Sequence, residues 1–150
     1  MTACKFDQRK YTPKHPEKYK GNPSEIYMRS SWETQFAIWA DSNPAILQWS
    51  SETVVIPYFS PLDGKPHRYF VDFWIKVKTS KGGTKTYLVE IKPYCQCIPP
   101  VITSRKKKRT ILTEQSTYVI NQAKWEAARK YASGRGWDFV VITEKHLFGK

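Results

Sequence analysis

Tyr69–Pro93, YFVDFWIKVKTSKGGTKTYLVEIKP, is the stretch from which the fold can be read. Two runs rich in aromatic and β-branched residues flank a polar, glycine-bearing turn near Gly82, which predicts two antiparallel strands. Side chains alternate faces along a strand. Phe70, Asp72, Trp74 and Lys76 therefore share one face of the first strand, and Val71, Phe73, Ile75 and Val77 share a second, core-like face. In the partner strand Tyr87, Val89 and Ile91 share one face, and Leu88, Glu90 and Lys92 the other. The turn brings Asp72 level with Glu90–Lys92. Two carboxylates and an ammonium then converge in an otherwise apolar strand pair. Unpaired buried charge is costly, so a divalent metal explains the cluster better than chance does.

Asp72 and Glu90 offer hard oxygen ligands, and no well-spaced Cys/His cluster competes with them. Mg²⁺ is the expected cofactor, with Mn²⁺ able to substitute. Lys92 is placed to orient or deprotonate an attacking water, or to offset charge on a transferring phosphoryl group. A neighbouring lysine and a bound cation oppose raised carboxylate pKa values, so a proton-sharing acid pair of the glycosidase kind is not expected. D-x(17)-E-x-K is a weak string alone, because acid-x-Lys occurs on many edge strands. Its surroundings give it meaning.

Charge is the first of these. Lys plus Arg number 25 against 13 acidic residues, a net of +12. Such an imbalance points to a polyanionic partner, nucleic acid before an anionic membrane, with general solubility or an acidic protein partner as the plain alternative; double-stranded DNA is the partner expected. No apolar run approaches the ~18 residues of a membrane span, and the first twenty residues show no apolar signal-peptide core. Cys4, Cys95 and Cys97 are too few and too poorly spaced for a disulfide scaffold or a zinc site.

Working outward, residues 1–24 read as a basic, proline-broken arm carrying Lys5, Arg9, Lys10, Lys14, Lys18 and Lys20, able to follow a phosphate backbone or to dock on the domain or a partner. Residues 25–150 read as a single domain. Ser30 or Ser31 opens a helix with Trp32, Phe36 and Trp39 on its apolar face. Glu33 then falls at the capping-box position, or serves as a third carboxylate at the metal. Asp41–Pro44 ends that helix. Gln48–Glu52 is expected to be a connection, and residues 53–92 a three-stranded antiparallel meander. Arg105, Lys106, Lys107, Lys108 and Arg109 form a basic run expected to bind DNA phosphates without reading bases. Residues 115–132 read as a helix ending at Gly134 and Gly136, with Gln122, Asn121 or Lys124 able to project toward the site. Trp137–Thr143 reads as a strand parallel to the one before that helix, followed by a short tail. The order is that of a small α/β domain, a mixed β-sheet flanked by helices.

VDFWIKV followed by YLVEIKP resembles the PD-(D/E)xK nuclease superfamily, which includes type II restriction enzymes, Holliday-junction resolvases and the endonuclease subunit of Tn7-type transposases. The resemblance implies a restriction-endonuclease-like core. It matches the strand aspartate to Asp72, the (D/E)xK to Glu90-Ile91-Lys92 and the acid of the first core helix to Glu33. Val71 stands where the motif's name has proline. A polar or basic residue of the following helix often assists in that superfamily, and Gln122 and Lys124 are the candidates here. The longer segments KYKGNPSEIYMRSSWE, WSSETVVIPYFSPLDGKPHRYFVDF and YLVEIKPYCQCIPP are similar to the head completion nucleases of T4-like tailed bacteriophages. That similarity implies an endonuclease acting in head completion after DNA packaging. It also implies a place in host cytoplasm during assembly and in the virion at the portal or neck. The expected alternatives are a portal or neck structural protein that keeps the fold without required cleavage, and a junction or mismatch repair nuclease.

Overall fold

A computed structural model describes residues 8–148; Cys4, Lys5 and the rest of the first seven residues lie outside the described residues. The centre is a four-stranded sheet in the order β3 (Ile46–Ser51), β6 (Phe73–Lys78), β7 (Thr84–Ile91), β8 (Asp138–Ile142). The first three strands are antiparallel, and β8 lies parallel to β7. A parallel neighbour needs a crossover, and α2 (Lys108–Ser133) supplies it.

Both faces of the sheet are covered. Phe73, Ile75, Val89 and Ile91 pack with Trp49 against Phe36, Ala37 and Ala40 of α1 (Ser31–Ser42). Trp74 and Leu88 face the other way, against Trp125, Ala128 and Ala132 of α2. This double burial explains why β6 reads as a nearly continuous apolar run rather than a clean alternation.

The expected meander is replaced by two hairpins. β4 (Val55–Phe59) and β5 (Pro66–Phe70) form a two-stranded sheet of their own. The third strand beside β6 is β3, so Gln48–Ser51, expected as a connection, is strand. The first long strand also breaks. Asp72 lies between β5 and β6, at the seam where the chain passes from the hairpin to the central sheet. Its carbonyl accepts the Glu52 N–H, and the Val71 N–H reaches the Val54 carbonyl, so the seam is held by backbone bonds.

The helices differ from expectation at their ends. α2 begins at Lys108, seven residues before the expected start at Gln115, because the basic run itself enters the first turn. The final segment is no tail. Thr143 and His146 form a capping box for α3 (Glu144–Leu147), and the Glu144 carboxylate accepts the Tyr94 N–H.

The described part of the basic arm is docked along the domain. β1 (Arg9–Lys10) pairs with β2 (Tyr27–Met28), and Tyr19 stacks edge-on against Trp49 in the core. Buried Asp41 accepts from the Tyr11 hydroxyl and from the Lys14 and His15 amides. Lys18 Nζ donates to the carbonyls of Ala40, Asp41 and Asn43, giving partners to the end of α1 that the helix itself cannot satisfy. Among the described residues no helix is long and apolar enough to cross a membrane.

Candidate active site

The site sits at the end of the β6–β7 pair, where β7 leaves the sheet. Glu90 and Ile91 are its last strand residues, and the Lys92 N–H continues the ladder by donating to the Ile142 carbonyl of β8. Ile91 N–H donates to Asp72 Oδ2 at 2.8 Å, which fixes the seam aspartate beside the strand. Lys92 Nζ lies 3.3 Å from Glu90 Oε2. The structure thus brings together Asp72, Glu90 and Lys92, as their spacing predicts. It does so with Asp72 just outside a strand rather than on one.

Glu33 approaches from α1. Ser30 Oγ accepts the Glu33 N–H, but the Glu33 carboxylate caps the amide of Arg29 rather than that of Ser30. The structural reading of Glu33 as a capping residue therefore holds in modified form. The carboxylate is also near enough to feel the site: burial raises its pKa, and Glu52 and Glu90 push it further. Asp72 is raised well above the usual carboxylate range, first by burial, then by Glu90 and by Glu33. In the protein alone the acids thus oppose one another's ionisation, and the proximity of Lys92 does not cancel this.

Lys124 is the residue of α2 that reaches the cluster. Its ammonium lies 5.6 Å from the centroid of the Tyr69 ring, and burial, then Lys92, lowers its pKa. Gln122 is not brought to the site by any hydrogen bond among the described residues. At about 100° per residue it falls on the opposite flank of the buried Trp125 row from Lys124. Asn121 lies in that buried row. The basic run is elsewhere, at the start of α2. Arg105, Lys107, Lys108 and Arg109 are exposed, whereas Lys106 is drawn inward to the Glu114 carboxylate and the Val101 carbonyl.

Two residues escaped the sequence reading. Glu52 takes φ 56°, a left-handed backbone that a non-glycine residue adopts at some cost, and pairs with Arg29 at 3.1 Å. Tyr69 donates its hydroxyl to Glu90 Oε1 at 2.6 Å. A lone strand tyrosine carries no signal of that role, and Glu52 shows only as one acid in a polar stretch.

The donor set suits a hard divalent cation. Mg²⁺ keeps several waters and commonly takes only one or two carboxylates from the protein. Asp72 and Glu90 provide two, and their mutual repulsion is what such a cation relieves. Among the described residues no three acidic, His or Cys side chains form a ligand cluster, and Glu33 acts on Asp72 and Glu90 through its charge.

The profile of the family described as "TnsA-like endonuclease N terminal" matches residues 43–144, which run from the end of α1 through β8 and include Asp72, Glu90, Lys92 and Lys124. The chain belongs to this endonuclease family, within the PD-(D/E)xK nuclease superfamily. It is also 44% identical over 142 residues to the head completion nuclease of Enterobacteria phage T4, covering 92% of this chain and 91% of that protein. The family's restriction-endonuclease-like fold agrees with the mixed sheet and flanking helices described above.

Proposed function

We propose that this chain is a metal-dependent DNA endonuclease that hydrolyses phosphodiester bonds at Asp72, Glu90 and Lys92 and acts in phage head completion after packaging. The observation that carries the reading is the convergence of two carboxylates and a lysine at the end of β7, locked by the Ile91 N–H to Asp72 bond. Asp72 and Glu90 would hold Mg²⁺ or Mn²⁺, which supplies Lewis acidity and an activated water. Lys92 is placed to steady a water or the phosphate at the cleaved bond. Lys124 would add positive charge beside the site, where negative charge builds on the oxygens of the phosphoryl group under attack. Glu33 shapes the field from α1.

The exposed basic side chains at the start of α2 join the positive end of that helix, an arrangement suited to DNA phosphates. The head completion assignment rests on the likeness to the T4 protein. One observation favours a second, structural role at the portal or neck. Val101, Ile102 and Leu112, on either side of the basic run in sequence, are each left largely exposed, with relative exposures of 63%, 64% and 66%. Exposed apolar surface suits a protein partner.

The test is cleavage of supercoiled, linear and branched DNA with Mg²⁺, with Mn²⁺ and with EDTA, beside Asp72→Ala and Glu90→Ala/Lys92→Ala. Metal-dependent cutting, lost in both variants while DNA binding and the fold persist, is the expected result. Strong preference for branched or mismatched DNA would move the reading to a repair nuclease. Binding without cutting in every condition would move it to the structural role.

A further inference from the structure

We propose that Tyr69 is a positioning residue of the site, whose hydroxyl fixes the orientation of the Glu90 carboxylate for the cation. The inference rests on the nuclease reading above and extends it to a residue outside the D-x(17)-E-x-K string.

The geometry is specific. Tyr69 and Glu90 are 3% and 5% exposed, and the phenol O–H donates to Oε1 at 2.6 Å. Lys92 meets the other oxygen, Oε2, at 3.3 Å. The carboxylate is therefore held from both oxygens, and rotation about its last bond would break one contact or both. Bonds from a neutral donor to an ionised acceptor are short and strong.

The donor is itself held firmly. Tyr69 pairs with Ile56 across the β4–β5 hairpin and packs in the same cluster as Leu88 and Trp125. The Lys124 ammonium lies near its ring. The choice of a phenol also matters chemically. A second cation in this place would compete with a metal for the charge of Glu90, whereas a phenol orients the carboxylate and leaves its charge in place. Groups that hold a metal ligand in this way change metal affinity by about 10–100-fold. Packing alone would be met equally well by phenylalanine, so the hydroxyl is the part to test.

The experiment compares the full chain with Tyr69→Phe. Mn²⁺ binding is titrated without DNA, and cleavage is measured under single-turnover and steady-state conditions. Glu90→Gln and the double variant complete a cycle. The expected result is a folded Tyr69→Phe protein with Mn²⁺ affinity weakened about tenfold or more. Its kcat should fall while KM for DNA stays constant, and Tyr69→Phe should have no further effect on Mn²⁺ affinity in the Glu90→Gln background. Wild-type affinity and kcat in Tyr69→Phe would overturn the proposal. So would a Tyr69→Phe chain that no longer folds, which would make the hydroxyl structural, or an undiminished effect in the Glu90→Gln background. If the wild-type chain neither binds Mn²⁺ nor cuts, the nuclease reading fails first and the role of Tyr69 falls with it.

Discussion

Asp72 shows how a single buried residue can be kept at a cost to stability. Its carboxyl group is raised well above its ordinary pKa by burial and by Glu90 and Glu33. A group whose pKa is higher folded than unfolded stabilises the fold in its protonated form. That contribution is complete below about pH 4, the unfolded value, and is lost as pH rises through the folded value. At neutral pH the protein thus carries a cost that a divalent cation, if bound as proposed, would offset. Asp72→Asn keeps an oxygen for the Ile91 N–H and removes the charge. The expected outcome is a metal-free melting temperature raised by a few degrees at pH 7, a smaller difference from wild type near pH 4, and no cleavage. Calorimetry across pH without and with Mg²⁺ checks this. An Asp72→Asn protein that melts below wild type at pH 7 would contradict the electrostatic account. At this scale the sequence was legible in chemistry but not in placement. Asp, Glu and Lys announce themselves by type and spacing, whereas Tyr69 and Glu52 gain their roles only from the backbone that aims them.

Among the elements, α1 depends on the segment before it. Asp41, 2% exposed, takes three hydrogen bonds from Tyr11, Lys14 and His15, and Lys18 serves three carbonyls at the helix end. Asp41→Ala removes the acceptor of those three part-buried bonds and should lower stability by about 1–3 kcal/mol. Lys18→Met should lower it by about 1–2 kcal/mol. Denaturant unfolding measures both, and unchanged midpoints would mean that the segment is not integral to the domain. The apolar face of α1 was read only in part: Phe36 packs inward with Ala37 and Ala40, while Trp39, expected beside it, is exposed. The Ser30 cap was readable, since it is local. The docking of residues 8–24 was not, because lysines and prolines advertise solubility and turns, and nothing local tells that one ammonium will close a helix. The two-hairpin arrangement was hidden for a related reason. Two hairpins and one meander share the same alternation, and only the break at Val71–Asp72 separates them.

Across the whole molecule, charge is distributed unevenly. The acids of the site gather at one end of the β6–β7 pair, while exposed Arg105, Lys107, Lys108 and Arg109 stand at the start of α2. Each phosphate contact adds about 0.9 to the slope of log K against log salt. Converting those four to Gln should reduce the magnitude of that slope by about 3.6 and weaken binding alike on unrelated sequences. Fluorescence anisotropy over a salt series reads both quantities. A changed sequence preference would make the run a base-reading element instead. The global class, a mixed sheet with a crossover helix, was readable from element order, because a parallel pair requires a helix between its strands.

The bonds that complete the site also run far along the chain. Lys92 is tied to Ile142, and Tyr94 to Glu144 across 50 residues. A ribosome adds about 5–20 residues per second, so a nascent chain carries Asp72, Glu90 and Lys92 for seconds before α2 and β8 exist to seat them. During that interval the acids and the lysine are present without the strand that holds the end of β7. The backbone seat of Lys92 and Tyr94 is thereby completed only after residues some 50 positions further along have been made.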